Sequence, residues 1–209
     1  GSVLVTKKGS GKNRPRVMLD AHMDEVGFMI VSDDGNGFHR FEIVGGIDVR
    51  HLAGKQVIVG KDHLPGVIGT PPIHLVHDVS GKIELSSLSI DLGSSGKAKV
   101  GERATFATKF KRAGPSILSK AIDDRIGVLI LIELLKHAPS NLDLCLAFSV
   151  QEEIGLRGAN VAAHYFKPDL AIAVDSTPAR DLPAQNDEEN VSYNTKLGFG
   201  PAIYIANSS

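Results

Sequence analysis

The sequence predicts an α/β fold: a mixed, mostly parallel sheet flanked by helices, with an all-β domain inserted into it. Three observations carry that expectation. Residues 38 to 107 are a succession of short β-type runs broken by Gly and Pro. Residues 121 to 175 instead alternate helical patterns with continuous apolar runs, as βαβ units with buried parallel strands do. An apolar run at 16–31 comes before the β-rich stretch and is assigned to the same sheet as the later strands. The expected units are therefore 1–37 with 108–209 for a discontinuous, incomplete α/β domain, and 38–107 for an inserted β-barrel-like domain.

Taken in order, RVMLDAHMDEVGFMIV supplies the first strand of the sheet. The inserted module comes next in FHRFEIV, KQVIVG, GVIGT, KIELSSLSI and ATFATKF, with turns at Gly45-Gly46, Pro65-Gly66, Pro71-Pro72 and Gly93. DDRIGVLILIELLKHA is then helical, with Ile126, Leu129, Ile130, Glu133, Leu134 and His137 at helical spacings and an acidic first turn. LDLCLAFSV is a strand, LRGANVAAHYF a helix and LAIAVD a strand. The chain opens within a strand-and-turn segment and stops at YIANSS, after an apolar strand PAIYIA, so a fragment of a longer polypeptide is expected.

Composition narrows the function classes. Hydrophobic residues make up 42% and charged residues 22% of 209 residues, ordinary for a globular protein. A net charge of -1 argues against a nucleic-acid or acidic-membrane partner. No apolar run approaches the roughly 20 residues that span a bilayer, and the first residues lack a signal peptide's apolar segment. The single cysteine, Cys145, lies inside an apolar run and reads as a buried, inert thiol. A cytoplasmic location is expected.

The functional signal lies in where the acids fall. One apolar strand runs into Asp20-Ala21-His22-Met23-Asp24, a second into Gln151-Glu152-Glu153 and a third into Asp175. Ligands of open α/β sheets bind outside the carboxyl ends of the strands. Asp123 and Asp124 add two carboxylates at a helix amino terminus. Each of these has an ordinary structural explanation when taken alone: a helix cap, a hydrogen-bonded histidine, a pair of surface acids, a turn. Jointly they do not, because five or six carboxylates in one crevice repel unless cations neutralise them. Carboxylates with one imidazole suit Zn, Mn or Co, and a carboxylate shared by two ions is the usual bridge in two-metal hydrolases.

His22-x-Asp24, Asp123-Asp124-Arg125-x-Gly127, Glu152-Glu153-x-Gly155 and Asp175, in that order, resemble the dinuclear aminopeptidases of the glutamyl and deblocking aminopeptidase family, some once labelled endoglucanase. GGIDVRHLAGKQV, GVIGTPPIHL, SIDLGSS, VDSTPARDLP and TKLGFGPAI extend the resemblance over essentially the whole chain. It implies a zinc-exopeptidase-like sheet and two divalent ions per subunit. On that resemblance His22 and Asp175 hold the first ion, Asp24 backs His22, Asp123 bridges, Asp124 supports it and Glu153 holds the second ion. Glu152 resembles the general base. The family takes its last ligand from a histidine near the carboxyl end, and no histidine follows Asp175 in this sequence. The β domain resembles the family's dimerisation domain, which implies dimers and tetrahedral dodecamers, with peptides as substrates. Two other readings stay open: a glycoside hydrolase using a carboxylate pair, and a non-catalytic assembly module.

Overall fold

The computed structural model describes residues 1–70, 83–179 and 195–204. Its strands and helices are, in chain order, β1 (Val3–Lys7), β2 (Arg16–His22), β3 (Gly27–Gly35), β4 (Phe38–Val44), β5 (Gln56–Val59), β6 (Leu64–Gly69), β7 (Ser89–Asp91), β8 (Arg103–Phe106), β9 (Lys111–Ala113), β10 (Ser116–Leu118), α1 (Ile122–Lys136), β11 (Asp143–Ser149), α2 (Arg157–Phe166) and β12 (Leu170–Ala173).

Four strands form a mixed sheet in the order β1-β11-β2-β12. β11 and β12 both run parallel to β2, and β1 runs antiparallel to β11. β11 is apolar from Leu144 to Phe148, as a strand covered on both faces is. Leu144, Leu146 and Phe148 pack with Ala21 and with Leu131 of α1, while Cys145 and Ala147 pack with Met18 and with Ala162 and Phe166 of α2. Cys145 is the buried thiol that its context predicts, and burial pushes its pKa up.

Six strands close into a barrel in the order β3-β4-β7-β6-β5-β8. Its interior holds Phe28, Ile30, Leu52, Val57, Val59, Ile68, Leu88 and Ile90, all at most 1% exposed, so the barrel is a filled core rather than a channel. Phe28 meets Phe41 and Phe106 edge to face at 5.1 and 5.2 Å. His39 is fully buried there, its Nδ1 3.1 Å from the Gly37 carbonyl and its Nε2 accepting the Ala98 N–H at 3.0 Å.

Several expectations need correction. The run 16–31 is not one strand of the sheet. It breaks after His22, and Gly27–Gly35 is the first strand of the barrel, so the change of unit falls before residue 38. Both halves are apolar, and an apolar run does not say which partner covers it. The helix α1 does form, but Ile126, Leu129 and Ile130 are 44–55% exposed, while Asp124, Gly127 and Leu131 face inward. α1 is apolar almost all round, so spacing could not pick its buried face. β12 pairs only with β2 among the described residues, leaving Leu170 and Ile172 exposed rather than buried. Residues 201–204 of the expected strand PAIYIA have no strand structure. GVIGTPPIHL and VDSTPARDLP lie partly outside the described residues.

Candidate metal centre

The parallel strands β2, β11 and β12 end side by side, with Ser149 opposite His22 and Ala173 opposite Asp20. The residues just beyond these strand ends therefore enter one crevice. From β2 come His22 and Asp24, from β11 Glu152 and Glu153, and from β12 Asp175. Asp123 and Asp124 reach the same place from the start of α1. Every acid that the sequence singles out as a site residue meets the imidazole here, and Asp20, which carries no role in that reading, joins them.

His22 is the centre of the group and is 3% exposed. Its Nδ1 lies 3.1 Å from the backbone carbonyl of Asp24. A carbonyl only accepts, so Nδ1 carries the proton and a neutral ring turns the Nε2 lone pair outward. That Nε2 is 2.9 Å from Asp123 Oδ1, 3.9 Å from Glu152 Oε2 and 4.0 Å from Asp175 Oδ1. The Asp24 carboxylate, 3.6 Å from Nδ1, is too far to hydrogen-bond the ring. It accepts instead the N–H groups of Glu152 and Glu153 at 3.2 and 3.4 Å. Asp24 thus holds the imidazole through its carbonyl and the Glu152-Glu153 loop through its side chain.

Asp124 answers the helix-cap reading and the site reading together. Oδ1 accepts the Gly127 N–H at 3.0 Å, as an N-cap side chain does, and Oδ2 accepts the His22 N–H at 3.2 Å. Gly127 makes this possible: a Cβ there would lie 2.4 Å from Asp124 Oδ1. With both oxygens engaged by backbone and 1% exposed, Asp124 fixes β2 to α1. Asp123, 58% exposed and facing Nε2, presents its carboxylate to the crevice. The peptide joining them is cis.

The loop after β11 turns at Gln151, a non-glycine residue with φ 64°. Such strain recurs at functional sites. Gly158 lets the start of α2 lie against that loop, since a Cβ there would meet the Val150 carbonyl at 2.3 Å.

The electrostatics are those of like charges held together. Burial pushes the Asp124 carboxyl up to about 6, helped by the nearby Asp175 charge and opposed by the Gly127 and His22 N–H groups. Glu152, Glu153 and Asp175 are also raised, first by burial and then by one another and Asp123. Burial works against charge on His22, yet Asp123's hydrogen bond and the charges of Glu152, Asp123 and Asp175 raise its pKa overall. Asp20, raised mainly by burial, accepts the Ser149 hydroxyl at 3.0 Å through Oδ2, while its buried Oδ1 has no partner. Asp20 stands two residues before His22 on the same strand face, and that alternation was the signal for it.

The donor set fits a divalent cation. Ligand atoms of His22, Asp124 and Asp175, and again of His22, Glu152 and Glu153, lie within 4.8 Å of one another. One imidazole among carboxylates is a set for Zn, Mn or Co, and a cation would relieve the repulsion that raises the carboxyl pKa values.

Family comparison agrees with that chemistry: the model of the M42 glutamyl aminopeptidases matches residues 1–209. The chain belongs to this family of peptide hydrolases. The glutamyl aminopeptidase of Lactococcus lactis is 34% identical, with 97% of this chain and 60% of the relative covered. An aminopeptidase structure from the archaeon Desulfurococcus kamchatkensis matches with a TM-score of 0.84 at 37% identity, covering 97% of this chain and 57% of that one. The TET1 peptidase of Pyrococcus horikoshii, which can assemble into a tetrahedron or a large octahedral shell, matches with a TM-score of 0.73 at 33% identity over 88% of this chain and 61% of its own. The M42 chain spans about 60% of the length of the relatives it matches.

Proposed function

We propose that this chain carries the catalytic core of a metal-dependent aminopeptidase that removes amino-terminal residues from peptides. The observation that carries the reading is a buried imidazole whose Nε2 faces Glu152 and Asp175, beyond the carboxyl ends of parallel strands, and Asp123 from the start of α1. His22 and Asp175 would hold one divalent ion and Glu153 a second, with Asp123 available to both and Asp24 and Asp124 fixing the ligands from behind. When bound, the ions supply Lewis acidity toward the scissile carbonyl and acidify the attacking water. Glu152, 3.9 Å from His22 Nε2, takes the water's proton as a carboxylate and returns it to the leaving amine. The excess of carboxylates also attracts the free α-ammonium that defines an aminopeptidase substrate. Zn, Co and Mn all suit the ligands. A glycosidase needs only two carboxylates and leaves His22 and the Asp-Asp pair without a task.

The barrel is the proposed dimerisation domain, and dimers built through it would assemble into a dodecamer. Met29, Val31, Phe38 and Val67 leave apolar surface on the barrel strands, and the TET1 relative can assemble into a tetrahedron or a large octahedral shell. Among the described residues no helix is long and apolar enough to cross a membrane. A cytoplasmic location is proposed on the lone, buried Cys145.

The test is metal stoichiometry by titration with zinc or cobalt, with Asp123→Ala as control, then hydrolysis of aminoacyl anilides. Two ions on the unaltered chain, fewer on the variant and metal-dependent release of the anilide are expected. A chain that binds no divalent ion, or hydrolyses the anilides equally well in chelator, would overturn the reading.

A further inference from the structure

The loops that carry Asp24 and Asp123 are joined by an ion pair that no role yet explains. Lys120 Nζ lies 2.6 Å from Glu25 Oε1, between side chains only 28% and 18% exposed and 95 residues apart in sequence. Glu25 follows Asp24 directly, and Lys120 comes three residues before Asp123. A second lysine ion pair, Lys136 with Glu133, joins neighbours on α1 with both side chains more than half exposed.

The position matters because of what is loose without it. The Asp123 carboxylate is 58% exposed and touches His22 through one oxygen. Between Lys120 and Asp123 the chain passes through Ala121, a non-glycine residue in the left-handed region at φ 54°. Residues in that region persist only where their surroundings hold them. On one side Asp124 anchors the segment to the His22 N–H. On the other, the Lys120–Glu25 pair anchors it to the loop whose Asp24 carbonyl holds the His22 ring. The contacts close a ring from His22 through Asp24, Glu25, Lys120 and Asp123 back to His22 Nε2.

We propose that Lys120 and Glu25 form a clamp that positions Asp123 against His22, so that the shared carboxylate is in place before a divalent ion arrives. They are positioning residues, since neither belongs to the groups whose ligand atoms gather at the site, and the inference rests on the metal-centre reading above. An exposed ion pair contributes little to stability. A half-buried one linking two ligand-bearing loops acts instead on metal affinity, where outer partners of ligands are worth 10- to 100-fold.

The experiment titrates cobalt and zinc into the unaltered chain and into Lys120→Met, Lys120→Arg, Glu25→Gln and the reversed pair Glu25→Lys/Lys120→Glu. It reads affinity by competition with a chromophoric chelator, the cobalt absorption spectrum and the unfolding midpoint in chelator. Lys120→Met and Glu25→Gln should each weaken affinity about 10- to 100-fold and alter the cobalt spectrum, with little change of midpoint in chelator. Lys120→Arg should retain most of the affinity, and the reversed pair should regain part of it. Should Lys120→Met fail to fold, Glu25→Gln and the reversed pair decide the matter by the same readouts. Unchanged affinity and spectrum in Glu25→Gln and Lys120→Met, on a parent chain that binds metal, would overturn the clamp alone. A parent chain that binds no ion would overturn the metal-centre reading and the clamp with it.

Discussion

The crowded carboxylates make a directional prediction about pH. Asp124 is buried with its carboxyl pushed up to about 6 from an ordinary 3.8. At pH 7 in chelator the folded chain must keep that group ionised, at a cost of about 3 kcal/mol. A raised carboxyl binds more protons folded than unfolded, so stability falls as pH rises between those two values. Asp20, Glu152, Glu153 and Asp175 are raised in the same sense. His22 agrees with them: its stabilising charge is fully present below its unfolded pKa and is lost as pH rises through its raised folded value. Asp34, Asp48 and Asp143 are lowered by Arg40, Arg50 and Arg14, so the stability they add is lost only in stronger acid, below about pH 4.

Chelated protein should therefore be more stable near pH 5 than at pH 7. Of the Asp124 cost only the part that accrues above pH 5, about 1.4 kcal/mol, separates the two conditions, which corresponds to roughly 3–6 °C of melting temperature for a chain of this size. Divalent ion should reverse the trend, adding about 2.7 kcal/mol at one hundred times its Kd at neutral pH and progressively less as protons compete. Urea unfolding at pH 4.5, 5, 6 and 7, in chelator and in zinc or manganese, measures both slopes. Chelated protein whose stability is flat or rises from pH 5 to 7 would refute the electrostatic account of the site.

Glu152→Gln should keep metal stoichiometry and lose at least 100-fold in kcat; a fully active variant would remove Glu152 from the role of base. Gly127→Ala places a methyl on the Asp124 carboxylate, so about 1–3 kcal/mol of stability should be lost by urea unfolding, together with metal affinity. His39→Leu leaves the Ala98 N–H unpaired inside the barrel, while the Gly37 carbonyl keeps the Leu92 N–H, and should cost about 1–3 kcal/mol while metal stoichiometry stays unchanged in the folded fraction.

The mixed sheet, the strand-rich middle and the acids that gather beyond the strand ends were legible in the sequence. Period, turn residues and the position of acids relative to apolar runs are local signals, and a strand's carboxyl end is marked by the chain itself. Partner choice is not local. Residues 17–19 and 28–31 are both apolar and close in sequence, yet only their hydrogen-bonding neighbours send one to the sheet and the other to the barrel. The inward face of α1 was fixed by Gly127 and Asp124 meeting the end of β2, because the run 126–135, apolar but for Glu133, marks no single face to bury. Sequence put Asp24 beside His22 but could not say that its carbonyl would hold the ring and its carboxylate the Glu152-Glu153 loop. Nor could spacing join Lys120 to Glu25 across 95 residues, since an ion pair between two loops exists only once β2 and α1 have packed together.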